Sequence, residues 1–330
     1  MKLGVLAVAN SPAEIAERAR RAEASGIDAV WAAELYDRAA TIGAAAVAQA
    51  TERVAVGTGI AYAFGRTPMV LAAEARNIDS LSGGRFVLGL GTGTVRMQQD
   101  WMGLDGTAPA ARLEELVTLL RKLWRVHEGP VDHDGRFYRV RLQPTAVTGP
   151  PLRMPPVYLA GFNKRMIAAA GAVADGFIGH PVFTPEYVDK VVRPALESGA
   201  RRAGRDGAEL PVVGYVICAV DEDPEVARRW AAGQVAYYAT VKTYAPVFEL
   251  HGFEAVVSDI RAAWERRDLA AMAAVVPDEM VDVFAAAGTA DDVRRKVHER
   301  WSPVYDQALL YPAGRSEQST FDLLLSTFAR

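Results

Sequence analysis

Three glycines at alternate positions, Gly89, Gly91 and Gly93, close the stretch GRFVLGLGTGT that runs from Gly84 to Thr94. Glycine at a strand end lets a phosphate or a planar ring approach the backbone, because no Cβ intervenes. A dinucleotide-binding turn would need G-x-G-x-x-G, and Thr94 holds the place of its last glycine. The chemistry must therefore be sought at the neighbouring apolar runs. One run ends in Glu34, followed by Tyr36, Asp37 and Arg38. The next ends in Thr58-Gly59-Ile60, followed by Tyr62 and Arg66. Two more end in Ala160-Gly161 and Gly179-His180. A carboxylate, a phenol and an imidazole so placed can move a proton or anchor a substrate. Glu34 can equally be an ion-pair partner of Arg38 or Arg66, and each glycine can equally relieve crowding. Glycine at three adjacent strand ends favours a ligand lying across them.

Other chemistries are missing. No G-x-x-x-x-G-K-[ST], G-x-S-x-G or H-E-x-x-H occurs, and the five histidines (His127, His133, His180, His251, His298) show no metal-ligand spacing. The single cysteine, Cys218, sits in the apolar run VVGYVICAV, where an inert buried thiol is expected and no intramolecular disulfide can form. A reducing cytoplasm fits that usage.

The elements that must position these residues repeat one pattern. Apolar runs at Leu3 to Ala9, Ala29 to Glu34, Val54 to Ile60, Phe86 to Thr92, Pro156 to Gly161, Gly176 to Pro181, Pro211 to Val220 and Gln307 to Ala313 are each followed by a helical segment. The first helix opens with Ser11 as cap, Pro12 in its first turn and Glu14 three residues after the cap, and ends before Gly26. Strands separated by crossover helices argue a parallel sheet covered on both faces. Eight such units predict a closed (β/α)8 TIM barrel forming a single domain over residues 1–330. Two insertions interrupt it. Residues 128–150 have a turn at Asp134-Gly135 and read as a β-hairpin; residues 222–288, between the seventh and eighth strands, read as helical.

Composition narrows the partners. Half of the 330 residues are hydrophobic, and the net charge of −3 gives no broad basic surface for nucleic acid. The N-terminal apolar stretch, Leu3 to Ala9, is at the bottom of the length a signal peptide needs and runs at once into a capped helix, so a first strand explains it better. No run approaches the ~20 residues that span a bilayer. A small-molecule substrate is the partner left.

The stretch TERVAVGTGIAYAFGRTPMVLAAEARNIDSLSGGRFVLGLGTGT closely resembles the signature block of the bacterial luciferase-like monooxygenase superfamily. The resemblance continues through LVTLLRKLW, PVYLAG, AGAVADG and GTADDVRRKV, and so covers essentially the whole chain. Within the superfamily it is most similar to the F420-dependent oxidoreductases, methylenetetrahydromethanopterin reductase among them. The resemblance implies the same (β/α)8 barrel, with a deazaflavin or flavin across the C-terminal strand ends. It implies a bulge in the third strand whose non-proline cis peptide, here Gly59–Ile60, lies against one face of the cofactor ring. Carried over, the cofactor contacts are Gly59, Ile60, Tyr62, Arg66, Gly91, Thr92, Gly93, Gly161, Asn163, Ala174, Asp175 and Gly176. A cofactor phosphate at the helix opened by Asn163 makes electrostatic sense.

The chain also departs from the sugar-phosphate dehydrogenases of that branch. Their Asp-His pair after the second strand is Glu34-Leu35 here, and their acidic residue after the GTG is Thr94. The expectation is hydride transfer between F420 and a small organic substrate, C=C or C=N reduction first, with Glu34, Tyr36 and His180 as candidates for the proton donor or substrate anchor. No metal is called for. The alternatives are an FMN-dependent monooxygenase and a non-catalytic flavin- or F420-binding protein. The family resemblance, with the alanine-rich segment from Thr41 to Ala50, implies a homodimer.

Overall fold

The computed structural model of the protein describes residues 1–205, 210–314 and 317–329. In chain order its strands are β1 (Lys2–Leu6), β2 (Ala29–Ala32), β3 (Ala55–Thr58), β4 (Ala61–Tyr62), β5 (Phe86–Gly91), β6 (Val131–Asp134), β7 (Arg139–Leu142), β8 (Val157–Ala160), β9 (Gly176–Ile178), β10 (Val212–Val220), β11 (Ala285–Gly288) and β12 (Gln307–Pro312). Eight of them, β1-β2-β3-β5-β8-β9-β10-β12, pair in parallel and close on themselves through β12 and β1. These are the eight apolar runs of the sequence, and the chain is a (β/α)8 barrel.

Alternation along the strands sorts the apolar residues into two sets. Leu6, Trp31, Ile178, Val213, Tyr215 and Leu309 fill the barrel interior, where the Trp31 indole N–H donates to the Gln307 side chain at 3.2 Å. Leu88, Leu90, Phe86, Phe177 and their like point outward under the helices. Helix starts follow the sequence signals. Ser11 accepts from the Glu14 N–H, Thr67 from Val70 and Asn163 from Met166, each closing an otherwise open first-turn donor. No helix among the described residues is long and apolar enough to cross a membrane.

The hairpin lies where it was expected, with β6 and β7 antiparallel and Asp134 opposite Arg139. The second insertion differs from the expectation. The segment is not helical throughout: Asp278–Phe284 is a helix, but Ala285 turns extended and Ala285–Gly288 forms β11 beside the far end of β10. The nine-residue β10 outruns its neighbours, and its free edge from Ile217 to Val220 accepts a fully buried strand. Four small residues at a helix end carry no periodicity that would separate strand from helix.

Candidate active site

The C-terminal end of the barrel is built around a break in the third strand. Gly57 faces Val87, but Ala61 faces Leu90, so four steps along this strand match three along β5. The extra residue is a bulge, and within it the Gly59–Ile60 peptide is cis. Two groups hold the segment. The Tyr215 hydroxyl donates to the Gly59 carbonyl at 2.7 Å, and the Glu34 carboxylate accepts the Tyr62 N–H at 2.8 Å.

Glu34 is fully engaged in that task. Arg66 reaches both its oxygens, at 2.8 and 3.0 Å, and also contacts Glu74 at 2.9 Å and the Thr41 hydroxyl at 3.3 Å. The Glu34 and Arg66 side chains are only 10% and 13% exposed, so of the two ion pairs the sequence allowed, the one with Arg66 forms. Burial by itself would lower the guanidinium pKa; Glu34 and Glu74 outweigh it and the net direction is upward. Burial first, and the Glu34 charge second, push the Tyr62 phenol up to about 12. The pair is thus a buttress of the bulge, with both charged groups engaged by the chain itself.

Other expected residues fall elsewhere. Tyr36 is 78% exposed and meets Trp101 edge-on, with 5.8 Å between ring centroids. Ala174 and Asp175 precede β9 and Gly176 is its first residue, so the three lie at the opposite, N-terminal end of the barrel. There Asp175 accepts the Val157 N–H at 2.9 Å and pairs with Arg121 at 2.7 Å. Their expected contact with a cofactor at the C-terminal rim is corrected on that ground. An open funnel of about 840 Å³ does occupy the N-terminal mouth, over Trp31 and Tyr158. Its carboxylates are spent on the chain itself, Asp28 on Leu3 N–H and Asp306 on Val212 N–H.

The glycines are explained by the chain too. A Cβ on Gly89 would stand 1.9 Å from the Thr58 carbonyl oxygen, one on Gly91 would stand 2.8 Å from the Ile60 side chain, and one on Gly161 would stand 2.7 Å from Met166 Cβ. These three positions need glycine because strands and helix close on one another. Thr92 and Gly93 remain half-exposed at the rim, Gly93 at φ 66° where L side chains are strained. Cys218 is a free buried thiol held protonated by burial, as its apolar run suggested.

What the sequence reading missed is a continuous arc of rings. It starts at Tyr215, passes Tyr311 (6.1 Å between centroids) and Tyr238 (6.5 Å), and reaches His180 (5.0 Å from Tyr238). Tyr244 lies 4.1 Å from His180, and Phe162 lies 4.7 Å from Tyr244. Tyr187 donates to the Phe162 carbonyl at 3.5 Å from behind the arc. The signal for the strand members was their alternation with buried residues, Leu309 before Tyr311 and Val213 before Tyr215. Tyr238 and Tyr244 come from the insertion, and no local pattern places them over the mouth.

The arc carries no carboxylate, lysine or arginine. Burial raises the pKa values of Tyr215, Tyr238 and Tyr244 and drives that of His180 down to about 3. A neutral imidazole is a hydrogen-bond donor at one ring nitrogen and an acceptor at the other. Beyond Phe162, the helix Lys164–Val173 presents its first-turn N–H groups, and exposed Lys164 and Arg165 make no ion pair among the described residues. An uncharged flat ring beside the bulge and arc, with an anionic tail at this helix, matches that distribution of charge.

A Mycobacterium tuberculosis protein of uncharacterized function is 31% identical, covering 92% of this chain and 91% of its own. A second from that organism, classed as a coenzyme F420-dependent oxidoreductase, is 29% identical over 94% of this chain and 93% of its own. The solved coenzyme F420-dependent tetrahydromethanopterin reductase from Methanopyrus kandleri superposes with a TM-score of 0.84 at 23% identity, over 99% of this chain and 97% of that one. Residues 1–307 match the luciferase-like monooxygenase family, and the chain belongs to it.

Proposed function

We propose that the protein is an F420-dependent oxidoreductase that passes a hydride between the deazaflavin and a small organic substrate. One observation carries the reading. The ring arc runs from the buttressed Gly59–Ile60 segment to the Asn163-capped helix, where Lys164 and Arg165, without an ion pair among the described residues, await an anion. The relative classed as F420-dependent, aligned over nearly the whole chain, supports it.

When bound, the deazaflavin supplies two-electron hydride chemistry, and the protein supplies position and electrostatics. Gly59 and Ile60 would border the cofactor ring, Thr92 and Gly93 its rim, and the first-turn N–H groups behind Asn163 its phosphate. Tyr62, Glu34 and Arg66 act through the bulge they hold. Tyr36 and Trp101 stand at the entrance, on the loops that follow β2 and β5. The same reading includes a homodimer: the helix Ala40–Ala50 carries no charge and leaves Ile42 59% exposed, and the helix Pro68–Leu81 packed against it leaves Met69 53% exposed.

A fluorescence titration with F420 and, separately, with FMN tests the proposal. Saturable F420 binding that weakens in a Lys164→Glu/Arg165→Glu variant supports it. Preference for FMN moves the chain to the oxygen-activating members of its family. Binding of neither overturns the cofactor assignment. Light scattering on a sizing column reads the dimer.

A further inference from the structure

Two donors in the ring arc have no acceptor among the described residues. The His180 Nδ1 accepts the Val182 N–H at 3.4 Å, which assigns the imidazole proton to Nε2, and that N–H has no partner among the described residues. The Tyr244 hydroxyl likewise has none. The two rings are neighbours, 4.1 Å apart between centroids and inclined at 42°. They come from unrelated parts of the chain, His180 from the end of β9 and Tyr244 from the helical insertion that covers the mouth. Around them stand Phe162, Phe183 and Tyr238.

We infer that the His180 Nε2–H and the Tyr244 hydroxyl form a neutral donor pair for the carbonyl oxygen of the substrate, and that the substrate is an uncharged conjugated carbonyl compound. The inference rests on the cofactor reading above and gives it a substrate class.

Three physical points argue it. Donors left without partners in a ring-lined wall are paid for only when an acceptor arrives, and a carbonyl oxygen offers two lone pairs. A carboxylate or phosphate would lose its hydration there and meet no counter-charge, since no arc member carries one. Reduction of a conjugated carbonyl also builds negative charge on that same oxygen. Adding a hydride to the β carbon moves the C=C electron pair onto oxygen, and a solvent proton at the α carbon completes the two-electron reduction, the reductant being a dihydro-deazaflavin oxidised by those two electrons. Fixed neutral donors stabilise the developing charge more than the ground state. A neutral histidine suits this better than a cationic one, which would surrender its proton to the enolate.

The test reads the bond directly, without turnover. Cyclohex-2-enone is bound to the protein, with and without oxidised F420, and its carbonyl stretch is recorded by infrared difference spectroscopy. The expected band lies below that of the enone in hexane. It returns most of the way in Tyr244→Phe and fully in Tyr244→Phe/His180→Phe, with about a tenfold loss of affinity for each donor removed. Tyr138→Phe, in the distant hairpin, leaves the band unchanged. Cyclohex-1-ene-carboxylate binds at least about tenfold more weakly than the enone. An unshifted band, a band indifferent to both substitutions, or no enone binding overturns the inference. Because F420 binding is read separately by its fluorescence, an unshifted band with intact F420 binding removes the donor pair alone. A shifted band without F420 binding removes the cofactor reading alone.

Discussion

Arg66 grips Glu34 through both carboxylate oxygens, Nη2 to Oε1 at 2.8 Å and Nη1 to Oε2 at 3.0 Å, while the same Oε2 takes the Tyr62 N–H. One carboxylate therefore ties the end of β2 to the far side of the bulge and neutralises a buried guanidinium. A residue at the place where the sequence expects a proton donor or substrate anchor is a fixed strut.

That role predicts the behaviour of Glu34→Ala. Removing the carboxylate leaves Arg66 buried with Glu74 alone, and breaking a buried pair costs about 3 kcal/mol. Urea denaturation of the cofactor-free protein should show it. Glu34→Gln should be milder and should leave the shape of any pH–rate profile unchanged, whereas a catalytic acid would lose a limb. The Tyr62 phenol, read by ultraviolet titration, should fall below about 12 in Glu34→Gln but stay above 10, because burial is the larger cause of its shift and persists.

The opening glycines give a second prediction. Thr58 Oγ1 donates to the Gly89 carbonyl at 2.8 Å and accepts the Gly89 N–H at 2.9 Å, which clamps β3 against β5. A methyl group on Gly89 would stand 1.9 Å from the Thr58 carbonyl oxygen, a backbone atom that cannot yield, and 2.7 Å from the Ile178 Cδ1. Gly89→Ala should destabilise by at least about 2 kcal/mol. The loss should be the same with and without F420. A loss confined to cofactor affinity would return this glycine to the role its sequence context suggested.

Most of the frame was legible because it rests on strong local signals. Each barrel strand is an unbroken apolar run, and Ser11 and Asn163 mark helix starts with a side chain that does one job. The site was legible only in part. The bulge at Gly59–Ile60 was read through family resemblance, and Glu34, Tyr62 and Arg66 were singled out by type without their mutual geometry. Ala174 to Gly176 were misplaced because a motif says nothing about which end of a strand it occupies. The arc from Tyr215 to Phe162 joins residues from β10, β12, the insertion and two loops, and only closure of the barrel brings them together.

His180 predicts a pH dependence of stability. Its folded pKa, about 3, lies below its ordinary value of 6.5, so the contribution is fully present above pH 6.5 and is lost as pH falls. Between pH 6.5 and 5, before most carboxylates titrate, the unfolded chain binds a proton that the folded chain refuses. Stability should fall there by up to about 1.4 kcal/mol per unit from this residue. His251 is shifted the same way by burial and adds to the total. The difference between the wild type and His180→Gln isolates the term, and parallel curves would show that His180 is not held neutral.

A last prediction concerns the cover of the site. The Thr184 hydroxyl accepts the Tyr187 N–H at 3.1 Å and lies 2.8 Å from His251 Nε2, with Glu186 3.6 Å from the other ring nitrogen. Thr184 belongs to the loop after β9, and His251 ends the helix Ala245–Leu250, so this contact fastens the insertion that carries Tyr244 to the barrel that carries His180. Phe248 and Phe253 pack on Phe284 beneath it, with centroids 4.8 and 6.1 Å away, and keep the insertion folded when the fastening is cut. Thr184→Val should therefore cost about 1 kcal/mol. Its mark should be local: faster amide exchange in the helices Ala245–Leu250 and Glu254–Glu265, unchanged protection in β1, β2 and β12, and weaker enone binding because the two donors are no longer held side by side. Uniformly faster exchange across barrel and insertion would mean that the contact supports the whole fold and has no separate part in setting the donor pair.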